Sequence, residues 1–156
     1  LKMMKFYLPA FVLLFSILLS CSTVDVYSDY DKKTDFSNFK TYAFYKKGID
    51  KVEISDLDKR RILRAIEKEL NAKGMVASEN PDIPGYGFGY VNVSTSTEGT
   101  LFIDLIDARK KELAWQGIGT GVLSYQKNIE KKEARINEIV SKIMLAYPPQ
   151  LEVVSN

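Results

Sequence analysis

The sequence contains no histidine and a single cysteine, Cys21, among its 156 residues. Without histidine, most nucleophilic triads and the usual zinc sites are excluded, which leaves the chemistry of carboxylates, lysine and tyrosine. The sequence contains no recognisable set of metal ligands and no cofactor motif. We therefore expect a protein without a metal, a cofactor or catalytic activity.

The chain also lacks an excess of charge of either sign. Lys2 and Lys5 account for its formal net charge of +2, so residues 21–156 carry as many acidic as basic side chains. Nucleic-acid-binding proteins present clustered lysine and arginine with a net positive field. The even balance predicts that nucleic acid is not a partner.

The N-terminus has the layout of a secretory signal. Two lysines precede an uncharged apolar run from Phe6 to Ser20, which is the arrangement of a signal peptide. The run is shorter than the ~20 apolar residues that a transmembrane helix needs. We predict a signal peptide over residues 1–20 that is removed, one domain over residues 21–149 and a loose tail over residues 150–156.

The signal ends in Leu-Leu-Ser-Cys, which resembles the lipobox of bacterial lipoproteins. The resemblance implies that Cys21 becomes the new N-terminus and carries several acyl chains, which together hold a protein to a membrane permanently. An ordinary signal that leaves a free thiol is the alternative, because Leu19 is larger than the usual lipobox residue. Ser22 is not acidic, so familiar sorting rules imply the outer membrane of a Gram-negative cell envelope, on its periplasmic face or at the cell surface.

Hydrophobic periodicity predicts an α+β fold. Alternating residues indicate strands near residues 24–30, 41–45, 75–78, 90–97, 100–107 and 113–123. A first helix begins at the Ser55–Asp58 capping box, in which the carboxylate reaches back to the first turn, and ends at Gly74. A second helix begins near Asn128 and ends at Pro148. We expect a largely antiparallel β-sheet with two amphipathic α-helices packed on one face.

Proline, glycine and aromatic residues are concentrated between Glu79 and Tyr90, which predicts a loop. The rings of Tyr86, Phe88 and Tyr90 in this loop are a candidate partner surface, because exposed aromatic residues give contact area at small entropic cost. The alternative is that these rings fold back onto the sheet.

Three glycines, Gly117, Gly119 and Gly121, suggest a phosphate-binding loop at first sight. A dinucleotide loop needs G-x-G-x-x-G directly before a helix, and neither the spacing nor the position of the next helix fits. With a period of two, all three glycines share one strand face with Leu113 and Trp115. We predict a strand that is smooth on its core side, so that the C-terminal helix or Trp115 approaches its backbone closely.

Four stretches together resemble the bacterial lipoproteins grouped as domain of unknown function 4136. They are "DYDKKTDFSNFKTYAFY", "AIEKELNAKGM" with the following "NPD", "GTLFIDLIDARKKELAWQGIGTG" and "INEIVSKIMLAYPP". The resemblance implies a lipidated envelope protein of α+β fold and brings no accepted catalytic residues. One departure is that Ile83, Pro84 and Gly85 follow the N-P-D turn where the family has an apolar strand, so either the strand is very short in this chain or residues are missing from the sequence at that point.

The predicted function is that of a non-catalytic envelope lipoprotein, held to the membrane through Cys21, that binds an unknown envelope protein or glycan. Two alternatives remain open. Asp104, Asp107 and Glu98 would serve an enzyme acting on glycan or peptidoglycan, although strand positions three apart face opposite sides and favour Asp104 as a solvent-facing residue and Asp107 as a turn former. A cleft between sheet and helices would serve a carrier of a small molecule or lipid. The oligomeric state is not predicted.

Overall fold

The computed structural model describes residues 24–78, 88–96, 99–121 and 127–150, with only the backbone of Phe88. The predicted sites Cys21, Tyr86 and Glu98 lie outside these ranges. The strands are β1 Val26–Tyr30, β2 Thr41–Phe44, β3 Val76–Ala77, β4 Phe88–Thr95, β5 Leu101–Asp107 and β6 Glu112–Gly119, and the helices are α1 Lys46–Ile49, α2 Asp56–Ala72 and α3 Ile129–Met144.

The six strands form one sheet in the order β1-β6-β5-β4-β2-β3. The pairings of β1 with β6, β6 with β5 and β5 with β4 are antiparallel, whereas β2 pairs in parallel with both β4 and β3. Parallel neighbours need a long crossover, which α2 provides between β2 and β3. The predicted α+β class is confirmed, and the sheet is mixed, with antiparallel pairs in the majority.

The two long helices pack on one face of the sheet, as predicted. Their apolar stripes join the inward side chains of the strands in one core, whose fully buried members include Ile66, Trp115, Ile139 and Ile143. Trp115 was expected in the core, and its side chain is 1% exposed. The two long helices therefore cover one side of the sheet.

The start of α2 corrects one detail of the predicted capping box. The Ser55 hydroxyl accepts a hydrogen bond from the Asp58 N–H at 3.1 Å, as a capping residue does. The Asp58 carboxylate, however, accepts from Arg61 at 2.7 Å and from Lys132 of α3 at 2.9 Å. The carboxylate therefore ties the two long helices together.

The glycine-containing strand is confirmed in part. A Cβ at Gly117 would collide with Ile143 Cγ2 and with the Trp115 ring, and one at Gly119 would lie 2.7 Å from Ile143 Cδ1. Both the C-terminal helix and Trp115 thus approach the backbone closely. Gly121 differs, because it follows the end of β6 with a φ of +70° and has nothing within 4 Å of an added Cβ.

Leu113 was placed wrongly on the core face. A register irregularity pairs Leu105 with Trp115 but the next residue, Ile106, with Leu113, so Ala114 is an extra residue in β6. Such a bulge shifts the alternation of side chains by one position. Ala114 and Trp115 are both buried as a result, whereas Leu113 is 50% exposed on the opposite side.

Candidate functional site

The side of the sheet opposite the two long helices is the candidate site. We call it the open face and define it by the outward side chains Tyr27, Asp29, Tyr45, Tyr90, Asn92, Phe102, Asp104, Ile106, Leu113, Gln116 and Ile118. Among the described residues, neither long helix lies on these side chains. The open face is therefore the surface on which a partner can contact several strands at once.

Strand register arranges the open face in rows that cross the sheet. An apolar row contains Tyr27, Ile118 and Phe102, which are Cα partners across β1, β6 and β5. A second apolar row on the other side of the face runs from Leu113 through Ile106 to Tyr90. The face thus presents two apolar rows with a polar row between them.

The polar row contains Asp29, Gln116, Asp104 and Asn92 in register. The Asp104 carboxylate accepts a hydrogen bond from the Gln116 amide at 2.7 Å and from the Asn92 amide at 3.3 Å. Cross-strand pairs of this kind fix the side chains of neighbouring strands relative to one another. Asp104 is therefore held at the centre of the open face.

Aromatic rings at the margins of this face are well exposed. Tyr27 is 61% exposed and Tyr45 is 42% exposed. The Tyr45 and Tyr90 rings meet edge to face, with their centroids 6.0 Å apart. Tyrosine and phenylalanine are enriched at interface cores, because each buries a large area with few rotatable bonds.

The predicted partner loop is partly corrected. Phe88 to Tyr90 belong to β4, an interior strand between β2 and β5, and not to a loop. Tyr90 is half-buried and packs against Ala43 and Ala108 on the open face, in agreement with the alternative that the rings fold back onto the sheet. Tyr86 and the side chain of Phe88 lie outside the described residues.

The two described carboxylates that were considered for catalysis have separate surroundings. Asp104 faces outward in the polar row, whereas Asp107 accepts hydrogen bonds from the backbone N–H groups of Arg109 at 2.8 Å and Lys110 at 3.1 Å. Asp107 is thus confirmed as a turn former and Asp104 as an outward strand residue. Their arrangement does not bring the two carboxylates together on one substrate.

A small cavity lies between the sheet and the helices, and its lining includes the apolar side chains Ile66, Leu70, Trp115, Met144 and Tyr147. The volume within which the centre of a water molecule could move is about 10 Å³. This is room for roughly one water molecule. This cavity is too small for the ligand of a carrier.

Within the residues that the structure describes, no group of three or more acidic or cysteine side chains is placed to hold a metal ion. None of the helices in those ranges combines the length and apolar character needed to cross a membrane.

The sequence analysis did not identify the open face as a site, although the outward-facing apolar residues of β5 pointed to it. A sheet covered on one side alternates apolar with polar residues, yet in β5 Phe102 and Ile106 point outward while Leu101, Ile103 and Leu105 point inward. Tyr27 and Ile118 could not be added to them from the sequence, because the pairing of β1 with β6 joins residues about ninety positions apart.

Comparison with known proteins first identifies similar folds. The chain is similar to the crystal structure of a PDZ domain protein from Parabacteroides distasonis ATCC 8503, with a TM-score of 0.51 and 17% identity over 82% of this chain and 36% of that one. It therefore spans about a third of that protein, and the likeness is one of fold alone. It is also similar to the PelC dodecamer from Paraburkholderia phytofirmans, with a TM-score of 0.49 and 12% identity over 78% and 95% of the two chains.

Comparison of the sequence itself found no match to a curated protein. The sequence does match the protein family described as "Domain of unknown function (DUF4136)" over residues 26–84 and 83–149. The two matched segments overlap at Ile83 and Pro84, where the sequence departs from the expected pattern. Since the match covers most of the chain, this protein belongs to the DUF4136 family.

Proposed function

We propose that this protein is a non-catalytic, lipid-anchored protein of the bacterial cell envelope that binds a partner protein through the open face of its sheet. The observation that carries the proposal is the pair of apolar rows on that face, one with Tyr27, Ile118 and Phe102 and the other with Leu113 and Ile106. Exposed apolar surface that lies beside polar residues is typical of interaction sites.

The composition of the open face supports binding over catalysis. Its aromatic and aliphatic side chains give contact area, and Asp104 between them is held by two neutral amides. The rings of Tyr27 and Tyr45 can be buried against a partner while their hydroxyl groups still form hydrogen bonds. These are the properties of a recognition surface.

The N-terminal sequence supports the membrane anchor. Cys21 precedes the start of β1 at Val26 by five residues, which span at most about 18 Å when fully extended. A lipid on Cys21 would hold the end of the sheet where β1 begins near the bilayer. The open face would then stand close to the membrane surface, within reach of other envelope proteins.

A site-specific photo-crosslinker tests the binding surface. We expect p-benzoylphenylalanine in place of Tyr27 to give a discrete crosslinked product in cells of the native host. The matched control is the same probe in place of Leu57, which lies on α2 and is 56% exposed against 61% for Tyr27. The yield at Tyr27 should exceed that at Leu57 by about tenfold, since hot spots concentrate in one contact patch.

The double variant Phe102→Thr with Ile118→Thr completes this test. Threonine keeps the preference for a strand but removes most of the apolar contact. We expect the Tyr27 crosslink to fall at least about fivefold while the circular dichroism spectrum is unchanged. Equal crosslinking from Tyr27 and Leu57, or a Tyr27 crosslink that persists in the double variant, would refute the open face as the binding surface.

The anchor has a separate test. Labelling with a radioactive fatty acid should mark the wild-type protein and disappear with Cys21→Ala, which should also release the protein from the membrane fraction. An unlabelled wild-type protein would contradict the lipid anchor and leave the binding surface to be judged by the crosslinks.

A further inference from the structure

Asp104 at the centre of the open face indicates what kind of partner fits there, and this inference rests on the proposed function. Its neighbours in the polar row, Asn92 and Gln116, hold its two carboxylate oxygens with one amide N–H each. An ionised carboxylate has about four positions at which it can accept a hydrogen bond. The two amides therefore orient Asp104 and leave part of its accepting capacity to a ligand.

The charge of Asp104 is not compensated within the described part of the chain. Its two hydrogen-bond donors are neutral amides, and the ion pairs between described residues do not involve it. Asp58 shows the contrast, because Arg61 and Lys132 both pair with that buried carboxylate. The described outward strand residues include Asp29 but neither lysine nor arginine.

The residues on either side of Asp104 are apolar. Phe102 and Ile106 precede and follow it on the same face of β5, each about 6.7 Å away along the strand. Tyr90 and Ile118 continue these two apolar rows on the neighbouring strands. A partner that covers the rows must also cover Asp104, and burying an unpaired carboxylate is costly.

We infer that the open face binds a protein segment that places an arginine or lysine side chain on Asp104, between apolar residues that contact Phe102 and Ile106. When the partner covers Asp104, the carboxylate loses its hydrating water. A cationic side chain of the partner neutralises the carboxylate in the same binding step. Such a pair adds specificity to the apolar contacts, because a segment without the cation leaves the charge buried and unpaired. Arginine fits best, since its planar fork can bond a carboxylate with two N–H groups.

A defined peptide pair tests the inference. The probe is the peptide acetyl-Thr-Phe-Thr-Arg-Thr-Ile-Thr-amide, which in an extended conformation sets apolar, basic and apolar side chains at the spacing of Phe102, Asp104 and Ile106. The comparison peptide carries citrulline, the neutral counterpart of arginine. Both are displayed on a biosensor surface, where multivalency makes weak binding measurable, and the full-length lipidated protein is applied in nanodiscs.

We expect the arginine peptide to bind the wild type about tenfold more tightly than the citrulline peptide, the ratio for one well-placed charge pair. Asp104→Asn should reduce this ratio below about twofold, while binding of the citrulline peptide is retained. Asparagine suits the site, because the Asn92 and Gln116 amides can rotate to offer it an oxygen or an N–H. Urea unfolding of the variant verifies that the fold is intact.

Asp29→Asn is the matched control, because it removes the same charge from the same row at an exposed position. A wild-type ratio near one, no peptide binding, or an equal loss of the ratio in Asp29→Asn would overturn the inference. The inference would also be overturned if glucosamine oligomers bound in a way that depends on Asp104 while the two peptides bound equally. The cation that pairs with Asp104 would then be an amino group of a glycan and not a protein side chain. The Tyr27 crosslink decides the proposed function separately from these peptide results. If the crosslink forms, the open face remains a binding surface even when the inference about Asp104 fails. If the crosslink does not form, the proposed function is refuted.

Discussion

The two sides of the sheet are built from the same strands and differ in what covers them. In β5, Ile103 points to the helices and is 2% exposed, whereas its neighbour Phe102 points to the open face and is half-buried. On the inward side, Ile143 of α3 packs close to the backbone at Gly117 and Gly119, and Ile139 does so at Gly119. Outward positions meet each other in rows across the strands.

This difference separates stability from recognition. Side chains on the covered face are surrounded on all sides, so each of them contributes to the folding free energy through its packing. On the open face, Tyr27 and Leu113 are 61% and 50% exposed and keep apolar surface available to a partner, whereas the Oδ1 of Asn92 is buried beside Gly48 of α1. Substitutions should therefore affect folding on one face and binding on the other.

The largest effect is expected from a pair of neighbouring truncations in β5. Ile103→Ala should lower the free energy of unfolding by about 3 kcal/mol, because it leaves a cavity in a closed core. Phe102→Ala removes more atoms but should cost about 1 kcal/mol or less, because its ring already borders solvent. Urea unfolding, followed through the fluorescence of Trp115, measures both values. Equal losses would contradict the division between the two faces.

A second prediction concerns the close approach of α3 to β6. Gly117→Ala should cost about 2 kcal/mol, because the new methyl group meets Ile143 Cγ2 and the rigid Trp115 ring. Gly119→Ala should cost about 1 kcal/mol, because it meets the end of the Ile143 side chain at 2.7 Å from Cδ1. Urea unfolding of both variants provides the measurement.

Ile143→Val provides a matched background for these two glycines. Valine lacks Cδ1 but keeps Cγ2, so it should relieve Gly119→Ala and leave the cost of Gly117→Ala unchanged. A double-mutant cycle reads this coupling directly. If Ile143→Val lowered the cost of both glycine substitutions equally, α3 as a whole would be moving away from β6. The contacts with Ile143 Cγ2 and Cδ1 would then not explain why glycine is needed at these two positions.

The covered face could be predicted from the sequence to a larger extent than the open face. The periodicity of α2 and α3 and the alternation in β5 are local signals, and they indicated the two long helices, the strand β5 and the smooth strand. The bulge at Ala114 is not a local signal, because it depends on how β6 pairs with β5. It moved Leu113 to the open face. The rows of that face depend on strand order, so neither Tyr27 nor the position of Asp104 between apolar rows could be predicted.

Two carboxylates, the buried Asp58 and the half-buried Asp104, extend the comparison to charge. Asp58 on the covered side accepts from Arg61 and Lys132, and Asp104 on the open side accepts from two amides. Burial raises the pKa of Asp58, but hydrogen bonds from Lys132 and Arg61 to the carboxylate outweigh it and hold that pKa below its ordinary value of 3.8. The Asp58 carboxylate is therefore stabilised in its ionised form by the fold itself.

Asp58→Asn should have a small effect, about 1 kcal/mol of unfolding free energy at pH 7, because one carboxylate then no longer joins α2 to α3. A group whose pKa is lowered in the folded state stabilises the fold above its unfolded pKa and loses this contribution as the pH falls through the folded value. The difference between wild type and variant should thus be constant from pH 7 to about pH 5 and shrink below about pH 4. Asp56→Asn in the same helical turn, where the side chain is 83% exposed, should cost less than about 0.5 kcal/mol.

Asp104→Asn should likewise leave the free energy of unfolding within about 0.5 kcal/mol of the wild type, since it breaks no ion pair within the described chain. A large loss there would assign Asp104 to the fold and not to a partner.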